Sequence, residues 1–370
     1  TGPIPAVPHL HGGEVPPQLD GGPDAWYTSD GIKIGHAYYS MDSPVAKNYA
    51  IYRYPNTQEA ANIWFHDHVL GITRLNVYAG LAGAYLIKDD ALALPPGLTA
   101  YGLGTETIIP LVIQDRMFDV NGQLYFPNLG LNPTIHPFWI PEFLGDVIVV
   151  NGKAWPFLSL AAKRYRFLFL NGSNARTYEM FLQSALPTAP LLWVIGTDGG
   201  YLDAPVPVQK LVMMPGERYD VIIDFAGYQG QNLTLRNTAR TPFPKGAPPQ
   251  GSTIGRIMQF RVGPPPATDT GYNPANPPAT PPLRPAMIRL VNPATGGAAV
   301  TPQVTRQLTL NEVMGPLGPV EVLGNNTKWD GRSVATDVFP GGIRPDFTLK
   351  GSSTEYFSEL PVEGQTELWE

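Results

Sequence analysis

Apolar and polar positions alternate with a period near two along most of the chain. That spacing puts one face of a strand inside and the other outside. Segments 62–68, 164–170, 218–225, 257–262 and 304–310 carry the alternation, and 82–87, 107–114, 146–151, 192–196 and 210–214 are short apolar runs of the buried-strand type. They are rich in β-branched and aromatic residues. Turn signals such as Asn151-Gly152, Asp198-Gly199-Gly200 and Pro215-Gly216-Glu217 separate them. The pattern predicts an all-β chain, with a β-sandwich of seven or more strands in its middle. Helical periodicity is weak, and 58–61 carries at most one turn.

Composition sharpens this picture. Gly (39) and Pro (41) are abundant, but in a chain that is 43% hydrophobic and only 15% charged they signal many turns rather than disorder. Nine prolines fall within 264–285, which predicts an extended, semi-rigid linker. The expected order is a first β-unit over 1–90, a second over 105–262, a Pro-rich linker over 263–300 and the start of a third unit over 301–370. The outer two are shorter than the ~100 residues a sandwich takes, so both ends read as cut and the chain as part of something longer. A net charge of −6 argues against nucleic acid or an anionic membrane surface as a partner. The longest apolar stretch, 77–87, is too short for a membrane span of about 20 residues. Thr1-Gly2-Pro3-Ile4-Pro5 has no signal-peptide pattern.

The sequence contains no Cys, which removes disulfides, thiolate metal sites and Cys nucleophiles from consideration within these residues. It contains six His, four of them in two pairs, His9-Leu10-His11 and His66-Asp67-His68. Residues i and i+2 of a strand point to the same face, roughly 6–7 Å apart. Each pair therefore presents two imidazoles side by side, and two such strands can surround more than one metal ion. Imidazole-only coordination suits copper, zinc, iron or nickel and disfavours calcium and magnesium. His36 and His136 stand alone in loop-like segments and are read as surface or interdomain residues, not ligands.

These pairs and their surroundings resemble the copper motifs of the multicopper oxidases. His9-Leu10-His11-Gly12-Gly13 with Asp20-Gly21 and Ala25-Trp26 is similar to the first motif. Its Leu-spaced form resembles the branch of bacterial spore-coat laccase, phenoxazinone synthase and bilirubin oxidase. Trp64-Phe65-His66-Asp67-His68, with Thr73-Arg74-Leu75-Asn76 following, is similar to the second. Val149-Val150-Asn151-Gly152, Asn171-Gly172-Ser173-Asn174 and Pro215-Gly216-Glu217-Arg218-Tyr219-Asp220 resemble stretches of the second domain in that family.

The resemblance implies tandem cupredoxin-like Greek-key β-sandwiches and a copper enzyme. Such enzymes take single electrons from phenols, aromatic amines or metal ions at a type 1 copper held by Cys and His, and reduce dioxygen to water at a trinuclear cluster. By family pattern His9 would ligate the type 2 copper, and His11, His66 and His68 the type 3 pair. Asp20 matches an acidic position implicated in proton handling; an Asp of an ordinary Asp-Gly turn is the alternative. Dioxygen and a small aromatic reductant would be the partners, together with a missing C-terminal segment or complementary chain. An extracytoplasmic location (secreted, periplasmic or spore coat) would follow from the family. Asp198-Gly199-Gly200 and Gly216-Glu217-Arg218 are expected as tight turns with a buried charge contact, not phosphate loops. The family's third and fourth copper motifs, including the one with Cys, have no counterpart in the sequence. These residues alone are therefore expected to lack a type 1 site. Two rival expectations remain: a copper-free cupredoxin scaffold that binds other proteins, and a simple His-only copper or zinc module. Retention of both histidine pairs argues against the scaffold.

Overall fold

In a computed structural model, residues 2–99, 108–132, 134, 140–285, 287, 289–292, 294–325, 348–349, 356–357 and 359–370 are described. The chain divides into two compact units: Thr1–Tyr125 with Glu142–Pro285, and Phe126–Pro141 with Ala286–Glu370.

The first unit opens with small β elements. Strands β1 (Pro5–Ala6) and β3 (Tyr27–Thr28) form a two-stranded ribbon, while β2 (Pro8–His11), β4 (Ala61–Asp67) and β5 (Ala82–Ile87) form a three-stranded antiparallel sheet in the order β2-β4-β5. Between β4 and β5 the chain forms a helix, α1 (Thr73–Ala79), where the sequence pattern pointed to none, and 58–61 forms no helical turn. Gly80, at φ 113°, ends α1 in the left-handed conformation that glycine adopts without a Cβ clash. The Tyr78 hydroxyl donates to the Tyr125 carbonyl at 2.7 Å and accepts the Met117 N–H at 2.8 Å, which docks the helix against its neighbours.

The rest of this unit is a sandwich. Its strands are β6 (Ile108–Arg116), β7 (Val147–Val150), β8 (Lys153–Ala154), β9 (Phe157–Leu160), β10 (Arg164–Asn171), β11 (Tyr178–Gln183), β12 (Leu192–Thr197), β13 (Gly200–Val208), β14 (Leu211–Met213), β15 (Arg218–Asp224), β16 (Asn232–Asn237) and β17 (Arg256–Val262). Seven strands make one sheet, ordered β13-β12-β15-β10-β6-β7-β8, and five make the other, ordered β14-β11-β16-β17-β9. The pairs β6/β10 and β9/β17 are parallel and the rest antiparallel.

Period-two patterning explains the layers. Along β10, Tyr165, Phe167 and Phe169 enter the core between the sheets, where Phe167 meets Phe260 of the opposite sheet at 5.3 Å between ring centroids. Leu168 points the other way and joins a second cluster on the outer face of the larger sheet, with Ile222, Ile195, Leu98, Tyr272 and Leu283. The last two residues belong to the Pro-rich stretch. The segment 264–285 thus lies against that outer face through these two side chains. Arg164 fixes it further, its Nε–H donating to Asp269 Oδ2 at 2.7 Å.

In the second unit β19 (Leu310–Gly315) and β20 (Gly318–Gly324) form a hairpin, β18 (Val304–Arg306) runs parallel to β23 (Glu367–Trp369), and β21 (Thr348–Leu349) pairs with β22 (Tyr356–Phe357). The strand expected over 304–310 stops at Arg306. Asn132 caps the hairpin turn, accepting the Leu317 N–H at 3.0 Å. Among the described residues, no helix is long and apolar enough to cross a membrane.

Candidate metal centre

Antiparallel pairing of β2 with β4 sets His9 opposite His66 and His11 opposite Trp64. Because alternate residues share a face, His9, His11, Trp64 and His66 all project to one side. His68 follows directly after β4. The four imidazoles converge. Ring centroids lie 5.7 Å apart for His9 and His11, 5.3 Å for His9 and His66, 4.6 Å for His9 and His68, and 5.7 Å for His66 and His68. His9, His11 and His66 each offer a ligand nitrogen, all within 4.8 Å of one another; His68 lies outside this tightest group. His36 is exposed in a turn, and His136 lies outside the described residues.

Hydrogen bonds orient the rings. His9 donates from Nδ1 to the Asp20 carbonyl at 2.6 Å, so its Nε2 is left as the donor-free nitrogen. His66 donates from Nδ1 to the Asp67 carbonyl at 2.7 Å, with the same result. His66 Nε2 faces His11 Nδ1 at 3.1 Å. The Nδ1 of His68 is buried without a hydrogen-bond partner. The Trp64 ring stacks obliquely on the His66 ring at 4.4 Å and on the His11 ring at 5.1 Å, excluding water from that side.

Three features outside the histidines hold this frame. Asp67, between the second pair, is buried; its Oδ1 accepts the Val7 N–H at 3.0 Å and its Oδ2 the Val69 N–H at 3.2 Å. It thereby ties the approach to β2 to the exit from β4. Asp20 stands in an Asp-Gly turn pressed onto β2: a Cβ on Gly21 would lie 1.9 Å from the Pro8 carbonyl oxygen. The turn is what brings the Asp20 carbonyl to His9. Its carboxylate Oδ1 also comes within 3.4 Å of His9 Nδ1. Lastly, Arg218 and Asp198, at the two turns marked in the sequence, form a charge contact at 3.1 Å in which Arg218 is buried but Asp198 is half exposed, not the buried contact expected, and it sits beside His11. Sequence reasoning marked the turns but not their place at the histidines. The signal for Asp67 was its position between two candidate ligands; for Arg218 it was the Gly216-Glu217-Arg218 turn, which did not say what the side chain reaches.

Burial drives the pKa of His11 down to about 4, with the Arg218 guanidinium as the next cause and the neighbouring imidazoles after it. His66 also falls to about 4 through burial, opposed by its bond to the Asp67 carbonyl. Burial lowers His68 as well. At neutral pH these three rings are uncharged, the form in which imidazole binds a metal.

Comparison with known proteins agrees with this geometry. The family model described as multicopper oxidase matches residues 132–255. The chain is 42% identical over 274 residues to multicopper oxidase LPR1 homolog 1 of Oryza sativa subsp. japonica, covering 74% of this chain and 44% of that protein. It is 39% identical over 265 residues to a laccase of Bacillus subtilis (strain 168), covering 70% of this chain and 47% of that protein. The crystal structure of McoA multicopper oxidase from the hyperthermophile Aquifex aeolicus superposes with a TM-score of 0.63 at 27% identity, covering 89% of this chain and 61% of that one. The chain belongs to the multicopper oxidase family.

It spans about half the length of the curated relatives it matches. Multicopper oxidases are copper oxidoreductases, and the donor set here fits that metal. Imidazoles converge without thiolates, the Asp20 carboxylate faces a nitrogen already committed to a hydrogen bond, and the Asp67 carboxylate is occupied by two backbone N–H groups.

Proposed function

We propose that His9, His11, His66 and His68 contribute to a multinuclear copper centre. In the complete enzyme, dioxygen would be reduced to water there with electrons from phenols, aromatic amines or metal ions. The observation that carries this reading is the convergence of four imidazoles from two His-x-His segments, three with pKa values lowered by burial. When bound, copper would supply the redox chemistry. By family pattern His9 would hold the type 2 ion and the other three the type 3 pair.

The chain's own residues prepare the site in definable ways. The Asp20 and Asp67 carbonyls lock His9 and His66 in the tautomer whose Nε2 is free. His11 Nδ1 and His66 Nε2 face each other across a single proton. Both rings would be among the residues that hold copper, and as neutral imidazoles they would each offer it a nitrogen. Trp64 keeps water from the His11 and His66 edge. The Asp20 carboxylate, half exposed and beside His9, is placed to pass protons between solvent and the centre. No Cys is present, so the thiolate that tunes a blue copper site for electron uptake must come from outside these residues. A secreted, periplasmic or spore-coat location suits this role.

Copper titration of the purified chain, followed by electron paramagnetic resonance, tests the reading. Imidazole nitrogen couplings are expected on the bound ion, and they should vanish in a His9→Ala/His66→Ala double variant. Equal copper binding by that variant would refute the assignment.

A further inference from the structure

The turn leading into β15 reaches β2 and β4 and ends against the histidines. Its apex is held to the sandwich by Asn171, whose carbonyl accepts the Gly216 N–H at 2.9 Å and whose side-chain amide donates to the Met213 carbonyl at 3.0 Å. From there Arg218 extends a side chain that is only 4% exposed. Its Nε–H donates to the Asn62 carbonyl of β4 at 3.2 Å, Nη1 to the Gly216 carbonyl at 2.8 Å, and Nη2 to the Asp198 carbonyl at 3.1 Å. Asp198 also accepts the Arg218 backbone N–H through Oδ1 at 2.7 Å, so the residue is aimed from both its ends.

The fit continues on the histidine side. Gly12 follows His11, and a Cβ built there would stand 2.6 Å from Arg218 Nη2. Gly216 lies against the His11 ring, where a Cβ would meet Cε1 at 3.4 Å and Trp64 Cζ2 at 3.8 Å. The guanidinium and its turn fill the space behind His11, and glycine stands at both points of approach.

We propose that Arg218 is a positioning residue for the metal centre, its planar fork fixing the place of the His11 imidazole by bracing the backbone at Asn62 and Gly12. The functional consequence rests on His11 being a copper ligand; the brace itself does not. A lysine would keep the charge but offer a single point of donation in place of a fork, so geometry rather than charge is what the position requires.

The test uses the 370-residue chain with Arg218→Lys, Arg218→Ala and Asp198→Asn. Three quantities are read: the imidazole nitrogen signals of His11 by NMR without metal, Cu2+ affinity by chelator competition, and thermal melting by circular dichroism. Shifted or broadened His11 signals and a loss of Cu2+ affinity of about ten-fold are expected, the scale seen when an outer hydrogen-bond partner of a metal ligand is removed. Arg218→Lys should not restore either. Asp198 is half exposed, so Asp198→Asn should fold even where the Arg218 variants do not, and should move the same signals less. Unchanged His11 signals and affinity in folded variants would overturn the proposal, as would full rescue by lysine. Should the parent chain bind no Cu2+ while its His11 signals still depend on Arg218, the copper reading falls and the brace stands.

Discussion

At the residue scale, His66 is the centre of the cluster: it touches His9, His11, His68 and Trp64. Replacing it with Ala should lower copper affinity by more than the 10–100-fold that removal of an outer partner costs, measured by chelator competition. The lowered His pKa values make a second prediction. Above pH 6.5, folded and unfolded chains both carry neutral His11 and His66. Between pH 6.5 and about 4 the unfolded chain takes up protons that the folded site refuses. Stability of the metal-free chain should therefore fall as pH drops through that window, with no contribution from these two rings above it. Denaturant melts at stepped pH check the slope, and NMR should show both rings neutral at pH 5.5. Asp67→Asn places an amide hydrogen against one of two backbone donors. A loss of about 1–3 kcal/mol is expected, the cost of leaving a buried polar group unsatisfied. Denaturant titration measures it. The histidine pairs were legible in sequence because i, i+2 spacing survives in the linear order. Their mutual register was not, and neither was Arg218, which reaches its Asn62 partner across 156 positions.

At the element scale, the alternating runs marked most strands of the sandwich, since a half-buried strand writes its burial directly into the chain. Strands β11 and β16 escaped notice although Tyr178, Met180, Leu182, Leu233 and Leu235 all face the core; their polar partners made them look like loops. Helix α1 escaped for another reason. It has only seven residues, and its apolar positions run on into β5, so two periods blur together. For the Pro-rich stretch, composition reports stiffness but not what a segment lies against. Leu283 is 2% exposed there. Leu283→Ala should cost about 2–5 kcal/mol, as truncation of a core leucine does, whereas a free linker would show no change in melting.

For the whole molecule, electron arithmetic sets the expectation. Each phenol gives one electron and dioxygen takes four, so an oxidase needs a separate uptake site that collects them. With no Cys in 370 residues, the isolated chain should bind copper yet show no oxygen uptake with phenols in a Clark electrode. Coupling it to a segment that supplies a thiolate site and further histidines should restore uptake. Appreciable turnover by the isolated chain would contradict the proposed division of labour.

The span of the Arg218 brace also bears on how such a protein is made. His9, His11, His66 and His68 all leave the ribosome before Asp198 and Arg218, and the strands that carry them pair with each other. Two of the groups that frame the site, Asp198 and Arg218, come out only after much of the second sandwich has been synthesised. At roughly 5–20 residues per second, the 156 positions between Asn62 and Arg218 amount to a delay of about 8–30 s. During that interval the Asp20 and Asp67 contacts can orient two of the histidines, but the Arg218 brace behind His11 is not yet there to complete the geometry of the site. A nascent chain arrested before residue 198 should therefore bind zinc and copper with little discrimination. One released beyond residue 262 should favour the metal that the finished frame is shaped for. Metal analysis of ribosome-bound chains stalled on either side of that interval would show whether selectivity arrives with the brace.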